Sequence, residues 1–411
     1  MNNILALIPL LLVLFPRAAS AQSQDFRLPI EGEPGKDFFI VNYVDHDEDS
    51  EEISDYRCGT KTYDGHQGTD FTLASFAHMD AGVGVLAAAD GTVFYAVDSL
   101  FDRNKESVVE RGFGNWIGIA HAEGYRTYYA HLRTGSALVQ PGDTVQAGQQ
   151  IALVGSSGNS SDPHLHFEVW KIDTTLRDPF GPGDCTVQNS LWKDQPAYDT
   201  DYRLIDHGLL GWVPDLDTLR ERPAGTSLFS PPDTAVAFWA HQLGLRRGDI
   251  ARIEWRRTFD DQLWFEYEFP AATQDWWYHY FWSWIALPPN DDYVVRYFVN
   301  NRMTAEREFT VQGVTGVKDR AEPSGLTVRS LSGQANILVI TRARSTRSLR
   351  FAASLYDMTG ARVARISEQE YTGARTIIDL DTYDLPAGNY MLQIEHGGTP
   401  ATFPVHLSET N

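Results

Sequence analysis

Alternating apolar and polar residues between Pro163 and Trp170 form the clearest pattern in the chain. Residues 163–170 read Pro-His-Leu-His-Phe-Glu-Val-Trp, and this period of two predicts a β-strand with one face in a core. Residues two apart on a strand share a face, so His164 and His166 are expected to project side by side. Two imidazoles on one rigid face can form half of a zinc site, although a polar sheet face without metal fits the same pattern.

The preceding residues also carry strand patterns. Residues 83–94 predict two strands joined by an Asp-Gly turn, and residues 115–132 predict a hairpin that turns at a Glu-Gly pair. A loop of small residues, 155–162, then leads into the two-histidine strand. Because none of these stretches shows an amphipathic helical period, we expect the whole region to be all-β.

The net charge argues against one class of partner, and the N-terminal sequence predicts export. The chain has 411 residues, of which 42% are hydrophobic, and a formal net charge of −21. This charge argues against nucleic acid as a partner, since binding it requires a basic face. An apolar run at residues 4–15 is followed by Ala19-Ser20-Ala21. We therefore predict a secretory signal peptide at residues 1–21, and no later run predicts a transmembrane segment.

A second polar cluster precedes the histidine strand. His66 and Asp70 lie four residues apart, and Gly65, Gly68 and Thr69 around them disfavour a helix. On a straight strand their Cα atoms would lie ~13 Å apart, too far to share one metal ion. The chain must therefore bend between them, and Gly68 makes that bend inexpensive.

Three motifs in this order resemble the LytM/lysostaphin-type zinc endopeptidases. They are His-x-x-x-Asp at residues 66–70, Tyr-Ala-His-Leu at 129–132, and Gly-Ser-Ser-Gly-Asn-Ser at 155–160 followed by Pro-His-Leu-His-Phe-Glu-Val at 163–169. The resemblance covers roughly residues 58–182. The sequence departs from the family where Ser-Asp-Pro at 161–163 replaces the usual Thr-Gly-Pro, and where residues 98–112 are longer than usual.

The resemblance implies a role for five residues. His66, Asp70 and His166 would be the metal ligands, and His131 and His164 would be the unliganded catalytic pair. Two neutral histidines and one carboxylate leave Zn²⁺ with an open position, which is the pattern of catalytic zinc. One free imidazole can then take a proton while the other stabilises an oxyanion, and the sequence leaves open which does which.

The predicted fold is all-β and multidomain. An antiparallel β-sheet peptidase domain with a metal groove is followed by two β-sandwich (Ig-like) domains. The expected boundaries are a signal peptide at 1–21, an acidic and solvated lead-in at 22–57, the peptidase domain at 58–185, a linker at 186–198, a Trp-rich β-sandwich at 199–313, a second linker at 314–325 and a C-terminal sorting-like β-sandwich at 326–411.

Two features of the downstream domains have alternative interpretations. Residues 276–284 read Trp-Trp-Tyr-His-Tyr-Phe-Trp-Ser-Trp, which predicts either core packing against the peptidase domain or an exposed platform for sugar rings or peptide. Residues 353–363 and 385–392 resemble the C-terminal sorting domains of type IX secretion cargo, over about residues 322–411. The usual Pro-Asn-Pro opening and basic end are absent, and a plain accessory β-sandwich is the alternative.

The chain has two cysteines, Cys58 and Cys185, which bracket the histidine motifs. Export favours a structural disulfide that ties the entry of the peptidase domain to its exit, with two unpaired thiols as the alternative. A role as soft metal ligands is disfavoured because a tetrahedral site that already holds two histidines and an aspartate would then have no room for water.

These observations predict a secreted zinc metalloendopeptidase with one Zn²⁺ per chain. Its expected substrates are peptide cross-links of peptidoglycan or Gly-rich peptides, and the sorting resemblance adds the type IX secretion machinery as a partner. The alternative is a non-catalytic protein that binds cell wall or activates an amidase. Relatives of that kind typically lose ligands, whereas all five positions are filled here. The expected location is secreted or at the outer cell surface, reached through the periplasm.

Overall fold

The computed structural model describes residues 25–47, 52–186, 189–313 and, with short gaps, 326–407. The predicted signal peptide and the predicted linker at 314–325 lie outside the described residues. The described chain is predominantly β, with two short helices. This agrees with the predicted all-β class.

The strands fall into three runs along the chain, which we call the first, second and third sheet regions. The first contains β1 Phe39–Asn42, β2 Thr69–Thr72, α1 Phe76–Ala81, β3 Gly84–Leu86, β4 Gly91–Val97, β5 Trp116–Ala120, β6 Tyr125–Ala130, β7 Thr144–Val145, β8 Gln150–Leu153 and β9 His164–Lys171. The second contains β10 Arg203–Leu210, α2 Leu216–Arg220, β11 Leu228–Phe229, β12 Ala235–Leu243, β13 Ala251–Arg257, β14 Leu263–Glu268, β15 His279–Ala286, β16 Asp291–Val299 and β17 Arg302–Val311. The third contains β18 Leu326–Leu331, β19 Gln334–Arg342, β20 Leu349–Asp357, β21 Arg362–Tyr371, β22 Arg375–Asp379, β23 Gly388–His396 and β24 Thr399–Leu407.

The first sheet region is a seven-stranded antiparallel sheet in the order β1-β2-β9-β6-β5-β4-β7, beside the two-stranded pair β3-β8. The predicted hairpin at 115–132 is confirmed as β5 and β6. The two strands predicted within 83–94 also form, but they do not pair with each other. Three buried alanines at 87–89 separate them, and Ala87 exchanges backbone hydrogen bonds with residues 148 and 149 instead.

The apolar face of β9 lies in the core, as its alternation predicts. Leu165, Phe167 and Val169 are fully buried, and they pack with side chains of the neighbouring strands in one cluster. Full burial of such a side chain contributes about 1.5–3 kcal/mol, so this strand is firmly anchored. The opposite face of β9 therefore presents His164 and His166 from a rigid support.

The segment before the first motif is not a solvated lead-in, so that expectation is wrong. Phe26, Phe38, Tyr43 and Tyr56 are fully buried in the core of the first sheet region, and β1 pairs with β2 at the edge of the sheet. The many acidic residues of this segment suggested that it is exposed to solvent, although its aromatic side chains are buried. The predicted linker at 186–198 also packs on this core, through Trp192 and Tyr198.

In the second sheet region, the sheets β10-β12-β15 and β11-β17-β16-β13-β14 share one hydrophobic core. None of residues 276–284 is exposed. The Trp277 indole donates to Thr60 O at 2.9 Å, and the Tyr278 hydroxyl donates to Leu73 O at 3.2 Å. The interpretation of this run as packing against the first sheet region is therefore confirmed, and the exposed platform is wrong.

The third sheet region has two sheets, β18-β19-β22 and β21-β20-β23-β24. Its described core includes Leu355, Leu392 and Ile394. Across the described parts of the chain, neither helix has the length and apolarity needed to cross a bilayer.

Candidate metal centre

His66, Asp70 and His166 converge at one point on the face of the first sheet that lies opposite its apolar core. Asp70 on β2 and His166 on β9 are direct cross-strand partners, and His66 lies in the loop before β2. The distance from His166 Nδ1 to Asp70 Oδ1 is 2.9 Å, and His66 Nε2 lies 3.2 Å from both atoms. All three residues are buried. Their donor atoms are thus close enough together to bind a single metal ion.

The chain bends at Gly68, between His66 and Asp70, as expected. A left-handed residue, Gly65 with a φ of 72°, lies just before His66. Gly68 is required for a second reason as well, because a Cβ there would lie only 2.6 Å from His166 Cε1. A side chain at this position would push His166 away from its partners.

Each of the three residues is oriented by a second hydrogen bond. His66 Nδ1 donates to Tyr43 O at 2.7 Å, and Asn42 Nδ2 donates to Asp70 Oδ2 at 2.8 Å. On the other side, His166 Nε2 lies 3.0 Å from Glu168 Oε1. These bonds leave His66 Nε2, Asp70 Oδ1 and His166 Nδ1 facing one another, which is the arrangement of metal-ligating groups with oriented outer partners.

The electrostatics of the site favour a positive charge at its centre. Burial by itself would raise the pKa of Asp70, but His66, His164 and His166 together hold that pKa well below its ordinary value. Burial would lower the pKa of His166, but Asp70 and Glu168 outweigh it and raise the pKa to about 10. The two carboxylates therefore stabilise a cation here, either a proton or a metal ion.

His131 and His164 lie beside these three residues. The His131 and His164 ring centroids are 4.6 Å apart, and His164 Nε2 is 3.7 Å from Asp70 Oδ1. Both imidazoles donate through Nδ1 to backbone carbonyls, His131 to Ser157 O at 2.7 Å and His164 to Asp162 O at 2.8 Å. This leaves Nε2 of each ring as the nitrogen available for proton transfer.

His131 has two unusual properties. Its φ is 61°, a left-handed conformation that is rare for a residue with a side chain and that clusters at functional sites. Burial, together with the neighbouring His164 and His166, lowers the pKa of His131 well below its ordinary value. The imidazole is therefore neutral at neutral pH.

The structure thus brings together all five residues singled out from the sequence, and adds three that the sequence reasoning missed. Glu168 lies two residues after His166 on the same face of β9, and this spacing could have identified it from the sequence. Asn42 and the carbonyl of Tyr43 had no such signal, because they reach the site only through the pairing of β1 with β2.

Cys58 and Cys185, which are 127 positions apart in the sequence, form a disulfide with their Cα atoms 5.2 Å apart. This is the pairing expected from the sequence. The bridge joins the segment before His66 to the segment after β9, and neither sulfur belongs to the group of potential metal ligands.

Comparison with known proteins supports the assignment of this region. Residues 64–179 match the model of Peptidase family M23. The match contains the five candidate site residues and supports an M23 peptidase domain of the LytM/lysostaphin type. It leaves out Asn42, at the end of β1, and Tyr43, which follows it, although these two residues orient Asp70 and His66.

Individual relatives match stretches of about 90–100 residues of the chain. An uncharacterized metalloprotease of Haemophilus influenzae is 37% identical over 103 residues, which is 25% of this chain and 18% of that protein. The murein hydrolase activator NlpD of Escherichia coli is 43% identical over 88 residues, 21% of this chain and 20% of NlpD. The DD-carboxypeptidase/endopeptidase Mpg of Neisseria meningitidis is 36% identical over 104 residues, 25% of this chain and 20% of Mpg. The chain thus spans about a fifth of the length of each of these relatives.

Proposed function

We propose that the chain is a zinc metalloendopeptidase that hydrolyses peptide bonds. The observation that carries the proposal is the convergence of His66, Asp70 and His166 beside His131 and His164. Two imidazole nitrogens and one carboxylate oxygen are a donor set that suits zinc and leaves an open position for substrate or water. Potential ligands and potential proton carriers thus share one site.

The residues of the chain would divide the work as follows. His66, Asp70 and His166 would hold one Zn²⁺, which when bound polarises a carbonyl and lowers the pKa of a coordinated water. Of His131 and His164, one imidazole accepts the proton of the attacking water and the other stabilises the negative charge that develops on the substrate oxygen. The carbonyls of Ser157 and Asp162 hold both rings in the required tautomer.

The proposed substrates are peptide cross-links of peptidoglycan, with Gly-rich peptides as a second class. The names of two relatives, a DD-carboxypeptidase/endopeptidase and a murein hydrolase activator, support the cell wall as the target. We also propose the domain boundaries predicted above, with the peptidase domain at 58–185, extended by the buried segment before it.

A second candidate function is a non-catalytic activator of a cell-wall amidase. It is favoured by the 43% identity to NlpD, the highest of the three relatives above. It is disfavoured by the complete set of five site residues and by the outer hydrogen bonds that orient them, since a binding protein does not need that orientation.

One experiment separates the two functions. The purified full-length protein is incubated with isolated peptidoglycan and with a pentaglycine-containing peptide, before and after chelation and after Zn²⁺ is added back. The peptidase should generate new amino termini, detected by mass spectrometry, that disappear with chelator and return with zinc. An activator should release no product alone and should accelerate an added amidase. Undiminished hydrolysis after complete metal removal would contradict the metal mechanism.

We further propose that the chain is exported by the signal peptide at 1–21 and sorted to the outer surface or medium by residues 326–411 through the type IX machinery. The support is the sequence resemblance at residues 353–363 and 385–392. Deletion of 326–411 should leave the protein in the periplasm, as measured by cell fractionation, and unchanged release would favour a plain accessory domain.

A further inference from the structure

Both unliganded histidines depend on one loop. Residues 155–162, which we call the histidine-holding loop, supply the carbonyl of Ser157 to His131 and the carbonyl of Asp162 to His164. The Ser160 hydroxyl also lies 3.2 Å from His164 Nδ1. The position of this loop therefore sets the direction in which both imidazoles point.

A second segment lies directly on the histidine-holding loop. Asn104 donates through its backbone N to Ser156 O at 3.0 Å and through Nδ2 to Gly158 O at 3.1 Å. Ser107 Oγ donates to Asn159 Oδ1 at 2.7 Å. These contacts come from residues 98–112, the segment that is longer than usual for the resembled family.

The second sheet region completes this stack with α2. Arg220 at the end of α2 places Nε 2.9 Å from Asp162 Oδ1, and its Nη1 donates to Lys105 O at 2.9 Å. Lys105 in turn donates to Asp217 O at 3.0 Å and lies 2.8 Å from Glu221 Oε1. Arg220 thus contacts both the histidine-holding loop and the segment that covers it.

The contact between Arg220 and Asp162 pairs a cation with a carboxylate that has little access to water. Burial raises the pKa of Asp162, and the Arg220 guanidinium opposes that shift. The Asp162 side chain is largely but not fully shielded from water, and a carboxylate in that setting is stabilised by a cationic partner, because removal of the partner would leave a poorly solvated charge. Asp162 also occupies the position where the resembled family usually has glycine, and Arg220 comes from outside the matched region. The two departures of this sequence from the family, at 161–163 and 98–112, therefore meet at the same arginine.

We propose that Arg220 is a positioning residue, through which the second sheet region holds the histidine-holding loop and aims His131 and His164 at the metal centre. The proposal rests on the proposed peptidase function. It gives the second sheet region a task in catalysis besides packing. Because Arg220 acts through the histidine-holding loop, its effect is expected on turnover rather than on metal or substrate binding.

The test uses the full-length zinc-loaded protein with Arg220→Gln and a matched control, Asp275→Asn. Asp275 also joins the two regions, away from the histidine-holding loop. It lies in the second region, where it accepts from Arg246, and it also accepts from the Thr60 hydroxyl of the first region. Arg220→Gln should lower kcat by about 10–100-fold with KM and zinc content unchanged, because misaligned imidazoles slow proton transfer. Hydrogen–deuterium exchange should become faster at residues 155–164. Asp275→Asn should leave both kcat and this exchange unchanged.

Equal kcat values in the two variants, loss of zinc from Arg220→Gln, or unchanged exchange at 155–164 would each overturn the proposal. If Arg220→Gln does not fold, Asp162→Asn provides the same test, because it keeps the backbone carbonyl for His164 and removes the charge that pairs with Arg220. A wild-type protein that hydrolyses neither substrate with zinc bound would refute the proposed function instead. The exchange comparison would still decide whether Arg220 holds the loop.

Discussion

The first and second sheet regions are both antiparallel β structures with large apolar cores, but they treat buried polar residues differently. In the first, four buried polar side chains converge, and each has an identified hydrogen-bond partner: His66, Asp70, His131 and His166. In the second, the buried polar side chains are distributed over three strands, β12, β13 and β15: His241, Gln242, Glu254 and Ser283. Convergence with directed partners, rather than burial alone, is therefore what distinguishes a site from a core.

Two buried histidines show the difference most directly. His166 has carboxylates on both ring nitrogens, which overcome the effect of burial and raise its pKa to about 10. His241 is packed between the rings of Tyr278 and Tyr280, at centroid distances of 4.2 and 4.0 Å, and burial lowers its pKa to about 3. A buried histidine can therefore carry a positive charge or remain neutral, according to whether carboxylates or aromatic rings surround it.

Removal of a proposed metal ligand should have the largest effect, and it tests whether the first region alone binds the metal. Asp70→Ala and His166→Ala should each lose zinc and reduce peptide hydrolysis to background, because two remaining donors do not hold the ion in catalytic geometry. Metal content measured by plasma mass spectrometry beside activity is the check. His241→Ala, which removes a buried histidine from the second region, should keep full zinc. Stoichiometric zinc in His166→Ala would contradict the ligand assignment.

Replacement of the unliganded pair sharpens the distinction between holding a metal and moving a proton. His131→Ala and His164→Ala should retain zinc and lose about 10²–10⁴-fold in kcat, the usual contribution of a general acid or base. Steady-state kinetics on metal-quantified samples test this. The ligand variants serve as the control. Zinc loss in either His131→Ala or His164→Ala would contradict the division of the five residues into metal ligands and proton carriers.

Reduction of the Cys58–Cys185 disulfide should affect the first sheet region selectively. A bridge between cysteines 127 positions apart contributes about 2–5 kcal/mol to stability. Thermal unfolding followed region by region with hydrogen–deuterium exchange should show earlier opening of residues 58–185 and little change in β10 to β17. The Cys58→Ser, Cys185→Ser double variant should behave like the reduced protein. Equal loss of protection in both regions would mean that they unfold as one unit.

The smallest predicted effect concerns pH and the second sheet region. In the unfolded chain His241 takes up a proton below about pH 6.5, whereas in the folded chain it stays neutral down to a pKa of about 3. The unfolded state therefore binds more protons in this window, and His241 lowers the free energy of unfolding as pH falls, by up to about 1.4 kcal/mol per pH unit. His241→Phe should flatten this dependence between pH 7 and pH 5 in thermal melts. Tyr278→Phe, which retains His241, should not.

The five candidate site residues could be predicted from the sequence because each lies in a short local pattern. The period of two on β9 placed His164 and His166 on one face, and the glycines around His66 required a bend. Their order along the chain then matched one known arrangement of motifs. Local patterns of this kind report strand faces and turns well, since those depend on neighbouring residues.

What the sequence reasoning missed depends on pairing between distant segments. The acidic appearance of residues 22–57 concealed β1, whose Asn42 reaches Asp70 only because their strands are neighbours. The strands within 83–94 were recognised, but not their separation into different sheets. The contact of Arg220 with Asp162 joins positions 58 residues apart in the numbering, on separate sheet regions. Strand order and contacts between regions are decided by total packing, which no single window of residues reports.

The place of β9 in the first sheet has a consequence for how the protein folds. β9 is the last strand of its region in sequence, yet it lies between β2 and β6 in the sheet order. Until it inserts, the sheet consists of two separate halves, with His66 and Asp70 on one and His131 following the other. Such non-local closure is the slow step of β-rich folding. Insertion of β9 also delivers His164 and His166, so the step that completes the sheet is also the step that brings the five candidate site residues together. A folding intermediate without β9 would consequently have neither a closed core nor the complete group of His66, Asp70 and His166.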